Sequence, residues 1–260
     1  MKSCSARPKG MQINLRAQLV RSIKSALRCV PPMEAGSLGA DTMRKFRRRL
    51  FTNPVVVCEP YHSQYGQDAE VGAYLDHMRD GVFLDIGAHD GVSYSNSLYL
   101  ERALGWTGVC VEPNPVVFER LRSARTCRCL NVGIGAEPGV LPFTALDGYG
   151  EMLSKFGEPT DRMLETARER DLTVRRYDVP VRTVADILSG CGIEHVDYLS
   201  IDTEGLEFSI LQSIDVRRLG VRVITIENNF EDDRLELYLR GKGFLLRAIL
   251  GSDLLMVKAL

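Results

Sequence analysis

The stretch Val82-Phe-Leu-Asp-Ile-Gly-Ala-His-Asp-Gly91 limits what this chain can fold into more than any other. A short, nearly continuous apolar run of this kind reads as a strand buried on both faces. Glycine then permits a sharp turn and lets backbone approach a ligand with no Cβ in the way. In an open α/β sheet, ligands sit beyond the carboxyl ends of the strands. Asp85, Gly87, Ala88, His89 and Gly91 therefore lie where a ligand is expected.

From about residue 60, strand and helix signals alternate. Strands are predicted at 82–86, 108–112, 128–134, 140–144, 198–201, 221–226, 244–249 and 254–257. Helices are predicted over 93–104, 115–124, 206–213 and 232–240, with a short one after Thr183. Residues 149–171 are polar and read as an insertion, helical over 163–170. Such alternation builds βαβ units, so residues 51–260 are expected to form one α/β domain. It is Rossmann-like, with a mostly parallel sheet and helices on both faces.

Residues 1–50 differ. They carry twelve Lys/Arg against only Glu34 and Asp41, whereas the remainder holds twenty-one basic and thirty-two acidic residues. Within this basic arm, Leu15, Leu19, Ile23 and Leu27 recur at helical spacing, so residues 11–30 suit a helix docked on the body or lying on a membrane surface. A disordered arm is the third reading. No run approaches the roughly 18–20 apolar residues of a transmembrane span. The acidic body speaks against a nucleic-acid acceptor, which needs a basic groove. Seven scattered cysteines, an odd number with no C-x-x-C pair, suit reduced thiols in the cytoplasm.

Glu112 stands 27 residues beyond Asp85, at the end of the next predicted strand, where a carboxylate can accept both hydroxyls of a ribose. A dinucleotide site fits poorly. The second glycine of G-x-G-x-x-G, needed beside a pyrophosphate, is His89, and Asp85 and Asp90 put negative charge where phosphates would lie. S-adenosylmethionine has no phosphate and carries a sulfonium and an ammonium, so these acids suit it. An NAD(P)-dependent oxidoreductase and a non-catalytic binding protein on the same fold are the competing readings.

Four segments carry a more specific signal: residues 83–96 around the glycine loop, Gly105-Trp-Thr-Gly-Val-Cys-Val-Glu-Pro-Asn-Pro115, Val196-Asp-Tyr-Leu-Ser-Ile-Asp-Thr-Glu-Gly-Leu-Glu207, and Ile226-Glu-Asn-Asn229. Together they resemble the FkbM-type methyltransferase family. Ser63-Gln-Tyr-Gly-Gln-Asp68 resembles a segment of its close relatives. The resemblance runs from about residue 61 to 258 and omits the arm. It implies a class I methyltransferase sheet of seven strands, the last antiparallel. It also implies methyl transfer from S-adenosylmethionine to a hydroxyl of a sugar, glycan or small natural product. By position, Asp85 and Gly87 would contact the methionine part, Glu112 the ribose, Asn114 the adenine or ribose, and residues 131 to 133, with Gly133, the adenine.

Methyl transfer to a hydroxyl needs alignment and help in removing the proton. Candidates lie at the ends of the fourth and fifth core strands. Asp202, Glu204 or His89 would act as base. Alternatively Asp202, Glu227 and Asn228 would hold Mg²⁺, similar in residue type and strand position to catechol-type O-methyltransferases. A third reading has Asp202 and Glu204 merely capping the following helix.

Overall fold

The computed structural model describes residues 59–259. The arm and its 11–30 segment lie outside the described residues. The chain divides at residue 51 into two units, of which the second, Thr52–Leu260, holds everything described below.

Its centre is a seven-stranded sheet. In chain order its strands are β1 (Val82–Ile86), β2 (Thr107–Val111), β3 (Arg128–Leu130), β8 (Tyr198–Ile201), β9 (Val223–Ile226), β10 (Phe244–Leu250) and β11 (Asp253–Lys258). The spatial order is β10-β11-β9-β8-β1-β2-β3. β11 runs antiparallel to both of its neighbours, and the other pairings are parallel. This is the arrangement expected of a class I methyltransferase: parallel strands with the last one reversed. The order turns outward on either side of the β1–β8 pair, so the ends of β1 and β8 form the crevice where such sheets bind ligands.

β8 and β9 are buried at every position, and β1 from Phe83 onward. Residues that alternate along a strand point to opposite faces, so burial at every position means both faces are covered. On one face, the register row of Phe83, Tyr198 and Val223 packs against Val71, Tyr99, Leu100 and Leu121. Those residues belong to α1 (Gln67–Tyr74), α2 (Leu98–Leu104) and α3 (Pro115–Ala124). The remaining helices are α4 (Asp161–Arg170), α5 (Val184–Cys191), α6 (Glu207–Gln212) and α7 (Asp233–Gly241). α3 starts because Asn114 accepts from Val116 and Val117 N–H and Pro115 occupies the first turn, where a missing N–H costs nothing.

Three expectations change. The helix predicted from Ser93 begins only at Leu98. The Asp90 carboxylate accepts Val92 N–H at 2.9 Å and Ser93 N–H at 2.7 Å, and Tyr94 takes a positive φ, so residues 90–97 are wound as a loop. The strand predicted over 128–134 is two. β3 ends at Leu130, and β4 (Gly133–Ile134) joins a different sheet. Between them, Asn131 donates to the carbonyls of Glu112 and Pro113. Finally, the insertion read at 149–171, which holds the expected helix as α4, is part of a second, four-stranded sheet of order β4-β7-β5-β6 whose strands other than β6 lie outside those bounds. It is built on the long antiparallel pair β5 (Gly139–Leu146) and β7 (Val174–Arg182), with β6 at Lys155–Phe156. α4 packs Met163 and Ala167 on Leu146 beside it.

Candidate active site

The glycine loop is held by backbone on both sides. Gly87 and Ala88 N–H both reach Val111 carbonyl at 3.0 Å, and Gly87 has φ +86°. A β-carbon there would stand 1.7 Å from the carbonyl oxygen of Asp202, so only glycine fits. His89, at φ +50°, donates its N–H to Glu112 Oε2 at 3.0 Å, while Asn114 N–H reaches Oε1 at 2.8 Å. Two backbone donors thus aim the Glu112 carboxylate. Burial nevertheless outweighs them and pushes its pKa up to about 7.

Asp85, 3% exposed, is supported from behind. Ser97 Oγ donates to it at 2.5 Å, and Arg125 Nη2 donates to that hydroxyl at 3.0 Å. Arg125 is itself buried and paired with Glu101 at 2.7 Å. Burial raises the Asp85 pKa, opposed by Ser97 and by the Arg125 charge.

These residues border a cavity of about 270 Å³. Asp85, Gly87, Ala88, His89, Glu112 and Gly133 line it from the predicted set, together with Asp202, Glu204 and Glu227. One wall is apolar, made of Val132, Ile134, Phe143, Met152 and Phe156 beside Gly133. A β-carbon at Gly133 would meet the Phe156 ring at 2.2 Å, so the glycine makes room for that ring.

The opposite wall is acidic. Ile201 and Ile226 are register partners at the ends of β8 and β9, which brings Asp202 and Glu227 side by side on the next residues. Burial first, and then Glu227, raises Asp202; burial and Glu204 lift Glu227 to about 8. Asn229 Nδ2 holds Glu227 Oε1 at 2.6 Å. Glu204, at φ +55°, is raised by burial and by Glu207.

Four predicted residues do not line the cavity: Gly91, Asn114, Asn131, whose amide is spent on the Glu112 and Pro113 carbonyls, and Asn228. Gly91 lies over Leu121 and Arg125, and a β-carbon there would meet them at 2.6 and 2.8 Å. The Asn114 side chain is spent on capping α3. Asn228 Oδ1 accepts Asp232 N–H at 2.6 Å, so the expected trio Asp202–Glu227–Asn228 does not converge, and Asn229 takes the cavity position instead. Among the described residues, no group of three or more His, Cys, Asp or Glu is arranged to hold a metal ion. The residues present do not fit the Mg²⁺ site. Nor do Asp202 and Glu204 cap α6. The N-cap of α6 is Leu206, with no side-chain cap, and Glu207 instead binds the preceding loop, accepting Thr203 N–H at 3.0 Å and Gly205 N–H at 2.9 Å.

His89 lines the cavity on the Glu112 side. Its ring lies 3.7 Å from both Asp90 and Glu151, with both nitrogens buried and without a hydrogen-bond partner. Burial lowers its pKa against the pull of those two acids. His62, His77 and His195 lie outside the cavity. The sequence reading missed Asp253, which Gln67 Nε2 fixes at 2.7 Å. Gln67 belongs to the 63–68 segment, where Ser63 Oγ and His62 N–H bind the Asp68 carboxylate at 2.5 and 2.7 Å. It also missed Glu151, which lines the cavity and pairs with Arg120.

Among known proteins, the chain is 26% identical over 196 residues to the methyltransferase sdnD of Sordaria araneosa, an alignment covering 62% of this chain and 72% of that one. The solved structures it matches include a precorrin-6y C5,15-methyltransferase from Geobacter metallireducens (TM-score 0.39, 12% identity, covering 78% of this chain and 91% of that one). The METTL16 methyltransferase domain is another (TM-score 0.38, 13% identity, 74% of this chain and 65% of that one). Residues 85–246, more than half of the chain, match the methyltransferase FkbM domain, and the chain belongs to that family.

Proposed function

We propose that the chain transfers a methyl group from S-adenosylmethionine to a hydroxyl of a sugar, glycan or small natural product. The observation that carries this reading is one cavity with two chemically distinct ends. At one end, Glu112 is aimed by two backbone N–H groups beside an apolar wall. At the other, burial and the surrounding carboxylates raise the Asp202–Glu227 pair above the ordinary carboxylate range. The first end suits a ribose and a flat base; the second suits the removal of a proton.

The residues fit this cofactor. The space a β-carbon at Gly87 would fill lets backbone come close, and the surrounding acids complement a cation rather than a phosphate. When bound, S-adenosylmethionine supplies an activated methyl group on a sulfonium. Glu112 would accept the ribose hydroxyls, and Asp85 and the Gly87 backbone would face the methionine part. The Asp202–Glu227 pair would take the acceptor's proton as its oxygen bonds to the methyl. Asn229 holds Glu227 in place for this, and Asp253 lines the same cavity as a further acceptor of hydrogen bonds.

The test is a radiolabelled methyl-transfer screen over fractionated cell extract. Wild type is expected to label a hydroxyl compound, while Asp202→Ala, although it still binds cofactor, labels it at least ~100-fold more slowly. Transfer undiminished in Asp202→Ala would remove the base from this account.

A further inference from the structure

Cys110, Cys127 and Cys129 meet at one edge of the seven-stranded sheet, and none of them lines the cavity. Cys110 in β2 and Cys129 in β3 are register partners on adjacent strands. Cys127 Sγ lies 3.6 Å from Cys110 Sγ, and Cys129 Sγ lies 3.6 Å from the Cys127 carbonyl. Cys110 is fully buried, whereas Cys127 and Cys129 keep part of their surface. Space-filling accounts for one buried thiol. It does not account for three grouped on two adjacent strands, with the buried Arg125 guanidinium reaching Cys110 through the Ser97 hydroxyl, an arrangement that favours a thiolate. The neighbouring Cys110 and Cys127 thiols and the Arg125 charge together draw Cys129 down to about 4.

We propose that the trio is an oxidation site for peroxide: Cys129, one of its two partly exposed members, reacts first to give a sulfenic acid, and one of the two neighbouring thiols closes a disulfide. In the first step the Cys129 sulfur attacks one peroxide oxygen. The O–O bond breaks, an S–O bond forms, and the released hydroxide leaves as water with the thiol proton. In the second step Cys110 or Cys127 attacks the Cys129 sulfur. The S–O bond breaks, the S–S bond forms, and a second water carries off the attacking thiol's proton. Two thiols are oxidised and one peroxide is reduced. The geometry is within reach, because Cys129 is the register partner of Cys110 on the adjacent strand and its sulfur lies 3.6 Å from the Cys127 carbonyl, with the Cys110 and Cys127 sulfurs 3.6 Å apart.

The experiment uses the reduced full-length chain, one equivalent of hydrogen peroxide, and dimedone to trap sulfenic acid. Digestion with trypsin and mass spectrometry follow; Arg128, between Cys127 and Cys129, puts the two on separate peptides. The expected result is a first adduct at Cys129. Without dimedone, a peptide pair links Cys129 to Cys110 or Cys127, reversed by dithiothreitol, with two thiols lost per peroxide. Cys129→Ser is expected to slow thiol loss within the trio at least ~10-fold, and Cys191→Ser to leave it unchanged. A first adduct at Cys191 or in the N-terminal arm, or no linked pair within the trio, overturns the proposal. Trapping on the wild-type chain decides this even if the serine variant fails to fold.

Discussion

The carbonyl oxygen of Asp202 lies 1.7 Å from where a β-carbon on Gly87 would stand, so the loops after β1 and β8 meet backbone to backbone at the edge of the cavity. Gly87→Ala adds that collision to an unfavourable φ of +86°. The backbone conformation alone costs about 1–3 kcal/mol. We expect a lower midpoint in urea and loss of S-adenosylmethionine binding, because neither loop can retreat without opening the sheet ends. Unchanged binding would show that the loops separate freely.

Glu112 makes cofactor affinity depend on pH. Its pKa near 7 lies above the ordinary value of 4.5, so the folded protein holds this proton more tightly than the unfolded chain. Its contribution to stability is therefore complete below about pH 4.5 and is lost as pH rises through 7, by about 3 kcal/mol. Ribose hydroxyls favour the ionised form, so affinity should rise between pH 6 and 8. Glu112→Gln should flatten that rise and make the cofactor-free protein more stable at pH 8. Titration calorimetry across the range and thermal melts check the two halves.

The Asp202–Glu227 pair sets the pH profile of turnover. Burial and the neighbouring carboxylates raise both groups, Glu227 to about 8, so the basic form grows as pH passes that value. The rate at saturating acceptor should climb toward a plateau above pH 8. The raised pKa values mean that stability falls over the same window. Asp202→Asn should therefore melt higher than wild type at pH 9 while losing turnover. A profile flat from pH 6 to 9 would place the base elsewhere.

Arg125 fixes the back of the site. It joins Glu101 to Ser97, and through Ser97 to Asp85, with its side chain fully buried. Removing it by Arg125→Met leaves a buried carboxylate unpaired, which typically costs about 3–5 kcal/mol. Urea denaturation should show a loss of that size. A much smaller loss would mean that Glu101 finds water.

Asn228 separates a turn from a metal ligand. With Oδ1 committed to Asp232 N–H, Asn228→Ala should cost about 1 kcal/mol of stability and leave the turnover per folded molecule unaltered. Excess EDTA should likewise leave methyl transfer intact. A loss of activity in EDTA that Mg²⁺ restores would contradict this reading.

What could be read from the residues alone was local. Val82–Ile86 announced itself because a strand covered on both faces is apolar throughout, and Glu112 because a strand-end acid has a fixed spacing from the first loop. β7 stayed hidden because Arg175, Arg176, Asp178 and Arg182 break its apolar pattern and only its pairing with β5 makes it a strand. Asp253 and Glu151 were invisible for the same reason. They come to the cavity through long-range packing, by way of Gln67 and Arg120, which no local pattern encodes. Choosing between Asn228 and Asn229 needed the turn into α7, where one amide is consumed by a backbone N–H and its neighbour is left to face Glu227.

Titration calorimetry with S-adenosylmethionine and, separately, NAD, on wild type and Glu112→Ala, tests the central claim most directly. The account predicts one-to-one binding of S-adenosylmethionine, weakened at least ~10-fold in Glu112→Ala, and no heat with NAD. Binding of NAD with none of S-adenosylmethionine, or equal affinity of the two proteins for S-adenosylmethionine, would contradict it.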